Sequence, residues 1–156
     1  KHCTGYGIEI DPDSVQAALA RGVNVIQADL ERGLAAFADH SFDIIVLSQT
    51  IQAMQNTETI LRDLTRIARQ AIVSFPNFGY WRNRLQIALG GHMPVSERMP
   101  YQWYNTPNIH WCTLHDFDAL CAKNNIRVLE RAVMTAGKRI ETLPNLMGSL
   151  AFYRVG

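Results

Sequence analysis

Two carboxylates at strand ends carry the chemistry this chain advertises. The run Gly5-Tyr6-Gly7-Ile8-Glu9-Ile10-Asp11, followed by Pro12, reads as a short strand that delivers Glu9 and Asp11 to its carboxyl end. In open α/β folds ligands sit outside that end, and an acid there accepts hydrogen bonds from a ribose diol. A carboxylate suits the task because its two acceptor oxygens match two adjacent hydroxyls through charge-assisted bonds. Asp29 repeats the arrangement after Val25-Ile26-Gln27-Ala28. The competing reading of Asp29 is an N-cap for the turn that follows, a role Asp fills well. Glu9 alone would suit a nicotinamide ribose as well as any other.

Further along, Ser48 and Gln49 close an apolar strand. Phe75-Pro76-Asn77-Phe78 closes the next, with Pro76 stiffening the backbone and Asn77 placed to present an amide at the mouth of a cleft. Between residues 92 and 112 lie Pro94, Pro100 and Pro107 with Tyr101, Trp103, Tyr104, His110 and Trp111. The segment is too long for a plain connector and too aromatic for a linker, so it is expected to be a lid or partner-binding loop. Its alternative is a loop that buries its own rings. His110 is a candidate general base at neutral pH, with a capping or core role as the alternative.

These residues need positioning elements, and the sequence supplies them as alternating strands and helices. That order predicts an α/β fold with a mainly parallel sheet. Strands are expected at Tyr6–Ile10, Val23–Ala28, Asp43–Ser48, Ala71–Phe75, Arg127–Met134 and Leu150–Val155. The unbroken Ile44-Ile45-Val46-Leu47 predicts a strand buried on both faces. Asp11 with Pro12 predicts a capped helix start, running to Arg21 and stopped by Gly22. A helical turn is expected around Gly33–Ala38. A helix over Glu58–Arg69 has Ile60, Leu61, Leu64, Ile67 and Ala68 on one stripe. Arg62, Arg66 and Arg69 share a face of it, read as solvated. Tyr80–Leu89 reads as a helix closed by Gly90 and Gly91, and Thr113 with Asp116 opens a helix to Asn124 through a capping box.

The chain has 156 residues, 47% hydrophobic and 19% charged, with a net charge of +1. This predicts one domain with a substantial core, and no global attraction to nucleic acid or anionic lipid. The three cysteines, Cys3, Cys112 and Cys121, lack metal-ligand spacing. Their odd number suits reduced thiols in a cytoplasm, and neither a metal site nor a membrane span is expected.

The element order resembles the class I S-adenosylmethionine-dependent methyltransferase superfamily, beginning at that superfamily's second strand. A closer resemblance is carried by five phrases in order: Gly-Ile-Glu-Ile-Asp (7–11), Gly-Val-Asn-Val-Ile-Gln-Ala-Asp (22–29), Leu-Ser-Gln-Thr-Ile-Gln-Ala (47–53), Ser-Phe-Pro-Asn-Phe-Gly (74–79) and Pro-Tyr-Gln-Trp-Tyr-Asn-Thr-Pro-Asn-Ile-His (100–110). Together they resemble the MetW family of methionine biosynthesis. The resemblance implies a Rossmann-like class I methyltransferase sheet, mainly parallel with an antiparallel final strand. It implies S-adenosylmethionine or S-adenosylhomocysteine as cofactor, with Glu9 and Ile10 at the ribose and Asp29 and the Leu30 N–H at adenine. Ser48 and Gln49 would face the sulfonium. It also implies homoserine O-acetyltransferase as a protein partner. The family's first strand and glycine-rich loop are not in this sequence, so the chain is expected to be part of a longer protein. Two other readings stand beside this one. The first is an active small-molecule methyltransferase with a small-molecule acceptor. The second is a dinucleotide-dependent oxidoreductase, which the five phrases and the antiparallel final strands disfavour.

Overall fold

The computed structural model describes residues 4–156, so Cys3 lies outside the described residues. The chain divides into two compact units, one ending at Ala38 and the other beginning at Asp39.

The first unit is a parallel strand–helix–strand arrangement. Strand β1 (Gly7–Glu9) pairs in parallel with β2 (Val25–Gln27), Ile8 opposite Ile26 and Glu9 opposite Gln27. Helix α1 (Pro12–Ala20) joins them. Its start follows from the sequence: Asp11 accepts a 2.9 Å bond from the Ser14 N–H, and Pro12 occupies the first turn, where a missing N–H costs nothing. Gly22, at φ 74°, turns the chain back toward β2. A short helix α2 (Leu30–Gly33) and a 3-10 turn (Leu34–Ala36) finish the unit, with Leu34 buried.

The second unit holds a mixed five-stranded sheet in the order β3-β4-β7-β5-β6. Its strands are β3 (Phe42–Ser48), β4 (Ala68–Pro76), β5 (Val128–Thr135), β6 (Lys138–Arg139) and β7 (Leu150–Val155). β3 and β4 are parallel, and β7 inserts antiparallel between β4 and β5. The antiparallel final strand expected from the resemblance is therefore present. The unit's helices are α3 (Thr57–Ile67), α4 (Trp81–Gly90), α5 (Leu114–Lys123) and α6 (Pro144–Met147).

The core of this unit is the α3 stripe, Ile60, Leu61, Leu64 and Ile67, all buried together with Val73 and Phe75 of β4 and Ala151 and Tyr153 of β7. Burying each large apolar side chain contributes about 1.5–3 kcal/mol. Phe75, Phe117 and Tyr153 form an aromatic cluster with ring centroids 4.6–5.7 Å apart. It fastens α5 to the middle of the sheet. The capping box that begins α5 is complete: Thr113 and Asp116 exchange side-chain and backbone bonds. The arginine face of α3 is an ion-pair lattice, Arg62 with Glu58 and Arg66 with Asp39 and Asp63.

Two expectations need correction. β3 is not buried on both faces: Ile44 is 55% and Val46 64% exposed. They share one face by the two-residue period of a strand, and nothing in their own unit covers that face. The α3 helix also ends at Ile67 rather than Arg69, because the chain passes directly into β4 at Ala68, where Phe42 pairs with it. Ladder bonds to β3 replace the last helical turn. Among the described residues, no helix is long and apolar enough to cross a membrane.

Candidate functional site

In the first unit, Glu9 and Asp29 leave the same end of one parallel pair, as the strand pattern required. The register puts Gln27 beside Glu9, so Asp29 stands two residues further along β2's exit. The Ala28 N–H donates to the Glu9 carbonyl at 3.0 Å, which carries the pairing past the strand's last residue. Glu9 is held in place by its own chain: Oε1 accepts from the N–H groups of Ile10 (2.8 Å) and Asp11 (3.0 Å). Among the described residues Oε2 has no hydrogen-bond partner, which leaves an oriented acceptor at the strand end. Ile10 presents an exposed apolar side chain next to it. Asp29 takes its capping role as well: Oδ1 accepts from the Glu31 N–H at 2.9 Å, while Oδ2 faces Arg32 at 3.7 Å. Leu30 follows as the first residue of α2.

In the second unit, Ser48 and Gln49 end β3, Ser48 paired with Ser74 of β4. Gln49 takes a left-handed conformation, φ 50°, and its N–H donates to the Ser74 carbonyl at 2.9 Å. A non-glycine residue there is strained by about 1 kcal/mol or more. The sequence offered no sign of that kink.

Asn77 is placed differently from its expected position. It is 1% exposed, and its amide is committed to the fold. Nδ2 donates to the carbonyls of Asn145 (2.9 Å) and Gly148 (2.8 Å), and Oδ1 accepts from the Gly79 N–H (2.9 Å). Asn145 Oδ1 in turn accepts from the Leu114 N–H at 3.0 Å. The knot ties the end of β4 to the start of α5 and to the α6–β7 connection, so the amide does not stand at a cleft mouth.

The segment from 92 to 112 carries only one isolated bridge, Ser96 with Met99. It divides into two parts. Trp111 packs on Phe78 at 5.8 Å and Met99 is buried. Trp103 and Tyr104 are 72% and 70% exposed and meet edge to face at 5.8 Å, with Tyr101 exposed beside them. His110 lies apart from these rings. Its backbone N–H donates to the Gln52 carbonyl at 3.0 Å, and its Nε2 is 3.4 Å from the Gln55 carbonyl.

His110 borders a cavity of about 580 Å³ between the first turns of α3 and α5. Ile51, Cys112, Phe117 and Leu120 line it with apolar surface, and Gln52, Glu58, Arg62 and Asp116 add polar groups. Burial pushes the Cys112 thiol up to about 12, with the Asp116 charge adding to it. The bonds from Thr113 hold Asp116 below the usual carboxylate range, and Lys123 does the same for Glu58. Gln52 is 7% exposed, and its Oε1 has no hydrogen-bond partner. A buried acceptor in that state costs about 1–3 kcal/mol. Sequence reasoning missed this cavity, because its residues come from two separated segments, 51–62 and 110–120, with no shared motif.

Comparison with known proteins gives a consistent picture. The family model described as methionine biosynthesis protein MetW matches residues 1–155. The bifunctional methionine biosynthesis protein MetXA/MetW of Rhodopirellula baltica is 35% identical over 95% of this chain. The chain spans 25% of that relative's length. Among solved structures, an S-adenosylmethionine-dependent methyltransferase from Thermotoga maritima superposes with a TM-score of 0.67 at 19% identity, covering 96% of this chain and 71% of that one. Another from Archaeoglobus fulgidus reaches 0.68 at 10% identity, covering 96% and 74%. At these identities the two structures show the fold, that of the class I methyltransferases.

Proposed function

We propose that this chain, which belongs to the MetW family of methionine biosynthesis proteins, binds the adenosine half of S-adenosylmethionine or S-adenosylhomocysteine at the carboxyl ends of β1 and β2. The observation that carries this reading is the Glu9 carboxylate, with one oxygen pinned by two backbone N–H groups and the other left to accept. Such a group fits a ribose diol without losing side-chain freedom on binding. Asp29 and the Leu30 N–H supply one acceptor beside one donor, the pattern of adenine's edge, and Ile10 offers apolar surface to the ligand. S-adenosylmethionine, when bound, supplies a methyl group on a sulfonium. The role of these residues is to bind and orient.

Calorimetric titration of the full-length protein with S-adenosylmethionine, S-adenosylhomocysteine and NAD tests the reading. Glu9→Ala removes the charge-assisted acceptance at Oε2, worth about 1.5–3 kcal/mol, so affinity falls roughly 10-fold to 100-fold. Unchanged affinity in Glu9→Ala, or binding of NAD in place of both adenosyl ligands, would overturn it.

The second part of the proposal is a partnership with homoserine O-acetyltransferase. Its support is the Rhodopirellula relative, whose name joins MetXA and MetW in one chain. The exposed Tyr101, Trp103 and Tyr104 supply the type of aromatic anchor that dominates protein interfaces. Co-purification with the acetyltransferase, weakened by Trp103→Ala, is the expected result. Failure to form a complex or to change the acetyltransferase rate refutes the partnership and leaves the cofactor reading standing.

A further inference from the structure

We infer that helix α4 and the segment after it form one docking face, fitted to a protein surface that carries acidic side chains around a protruding apolar one. The inference rests on the partnership proposed above and states the chemistry of the partner's surface. Nearly half of the exposed large apolar side chains among the described residues fall between Leu85 and Ile109. They form one surface. Arg82, Leu85, Gln86 and Leu89 share a face of α4 by helical spacing, and Leu89 is 82% exposed. The Gln86 side chain straps the next segment to that face. Its Oε1 accepts from the Val95 N–H at 3.0 Å, and its Nε2 donates to the Val95 carbonyl at 3.3 Å. Met93 then meets Tyr101, Trp103 and Ile109 around a pocket of about 210 Å³, lined as well by the stacked rings of Phe78 and Trp111. Soluble monomers rarely expose a continuous apolar patch of this kind. The pocket has room for one large apolar side chain, which is how interface anchors seat.

Charge identifies what surrounds that anchor. Residues 76–115 contain three arginines, Arg82, Arg84 and Arg98, and a single acid, Glu97. Arg62 and Arg66 of α3 are ion-paired, whereas among the described residues these three have no ion-pair partner. Two of them are already oriented. Arg82 lies over the Trp81 ring, 5.4 Å from its centroid, and Arg84 Nε donates to the Gly79 carbonyl at 2.6 Å. Arg98 stands in the turn that Ser96 and Met99 close. Unneutralised guanidinium groups beside an apolar patch favour carboxylates on the facing surface. A second copy of the chain is disfavoured, because a two-fold contact would set the same cations against each other. An anionic bilayer is disfavoured too, since lipid-binding clusters carry about 4–8 cations.

The test uses the full-length protein with homoserine O-acetyltransferase, and calorimetry at low and high salt. Affinity is expected to fall as salt rises. Arg82→Glu and Arg98→Glu should each weaken the complex about fivefold or more and flatten that salt dependence. Leu89→Ser should weaken it about tenfold. Arg127→Glu makes the same change in net charge beside Gly156, at the opposite end of the sheet from Phe78, and should leave the affinity unchanged. Hydrogen exchange on the unaltered proteins should show protection over residues 81–109 in the complex, which decides the matter should a variant fail to fold. Absence of any complex refutes the partnership and this inference with it. A complex that Arg82→Glu and Leu89→Ser leave intact, that Arg127→Glu weakens equally, or that protects other residues overturns this inference alone. Binding of the unaltered protein to vesicles of phosphatidylcholine and phosphatidylglycerol, or self-association lost in Leu89→Ser, would overturn it as well.

Discussion

Asn77→Ala separates a residue that holds the fold from one that holds a ligand. The amide makes three hydrogen bonds, one donated to the Asn145 carbonyl and two fully buried ones, donated to the Gly148 carbonyl and accepted from the Gly79 N–H. Removing it strands two acceptors and one donor. At about 1–1.5 kcal/mol for each broken bond, the expected loss is about 3–4.5 kcal/mol. That is a large fraction of the ~5–15 kcal/mol by which a domain is usually stable. At roughly 2–4 °C per kcal/mol for a chain of this size, the melting temperature should drop by about 10 °C. Urea unfolding followed by tryptophan fluorescence measures the first quantity, and calorimetry the second. Asn77→Asp is the sharper variant. It keeps an acceptor for Gly79 but turns a carboxylate toward two carbonyl oxygens, so its carboxyl pKa is driven up. Folded pKa above unfolded pKa in an acid means stability that is lost as pH rises, so Asn77→Asp should be less damaging at pH 4 than at pH 8. A loss below 1 kcal/mol in Asn77→Ala, accompanied by abolished adenosyl binding, would refute this reasoning and return Asn77 to the cleft.

Other perturbations test other parts of the structure. Thr113→Ala removes half of the α5 capping box and should cost about 1 kcal/mol in chemical unfolding. Gly148→Ala should cost about 1–3 kcal/mol, because an added Cβ collides with the Val133 side chain and lies 2.7 Å from the Pro144 carbonyl; Val133→Ala should restore part of it. Cys112 and Cys121, pushed up by burial to about 12 and about 11, should resist iodoacetamide at pH 8 in the folded protein, as read by peptide mass mapping. The same shifts have a stability consequence: between pH 9 and the folded values the unfolded chain loses these thiol protons first, so unfolding becomes easier as pH rises.

Local chemistry was legible in the linear sequence. Asp11-Pro12, the Thr113–Asp116 box and Gly91 marked helix ends because capping needs only residues three or four apart. The two strand-end acids were legible for a similar reason: a strand's exit is marked by the residues flanking it. The β5–β6 hairpin was harder. Its two-residue turn, Ala136-Gly137, has positive φ at both positions, and alanine is a poor advertisement for that geometry. The end of α3 was misread because helix propensity continues through Arg69, whereas pairing with β3 decides where β4 begins.

Composition, period and capping thus determined the α/β order and the placement of Glu9 and Asp29 at strand ends, while the five phrases carried the resemblance to the family. Tertiary structure alone decided that Ile44 and Val46 lie open, that Asn77 is consumed by carbonyls about 70 residues downstream, and that Gln52 and Phe117 share a cavity. The physical reason is range. Capping and periodicity act between neighbours in the chain, while burial and hydrogen-bond satisfaction depend on what folding brings alongside.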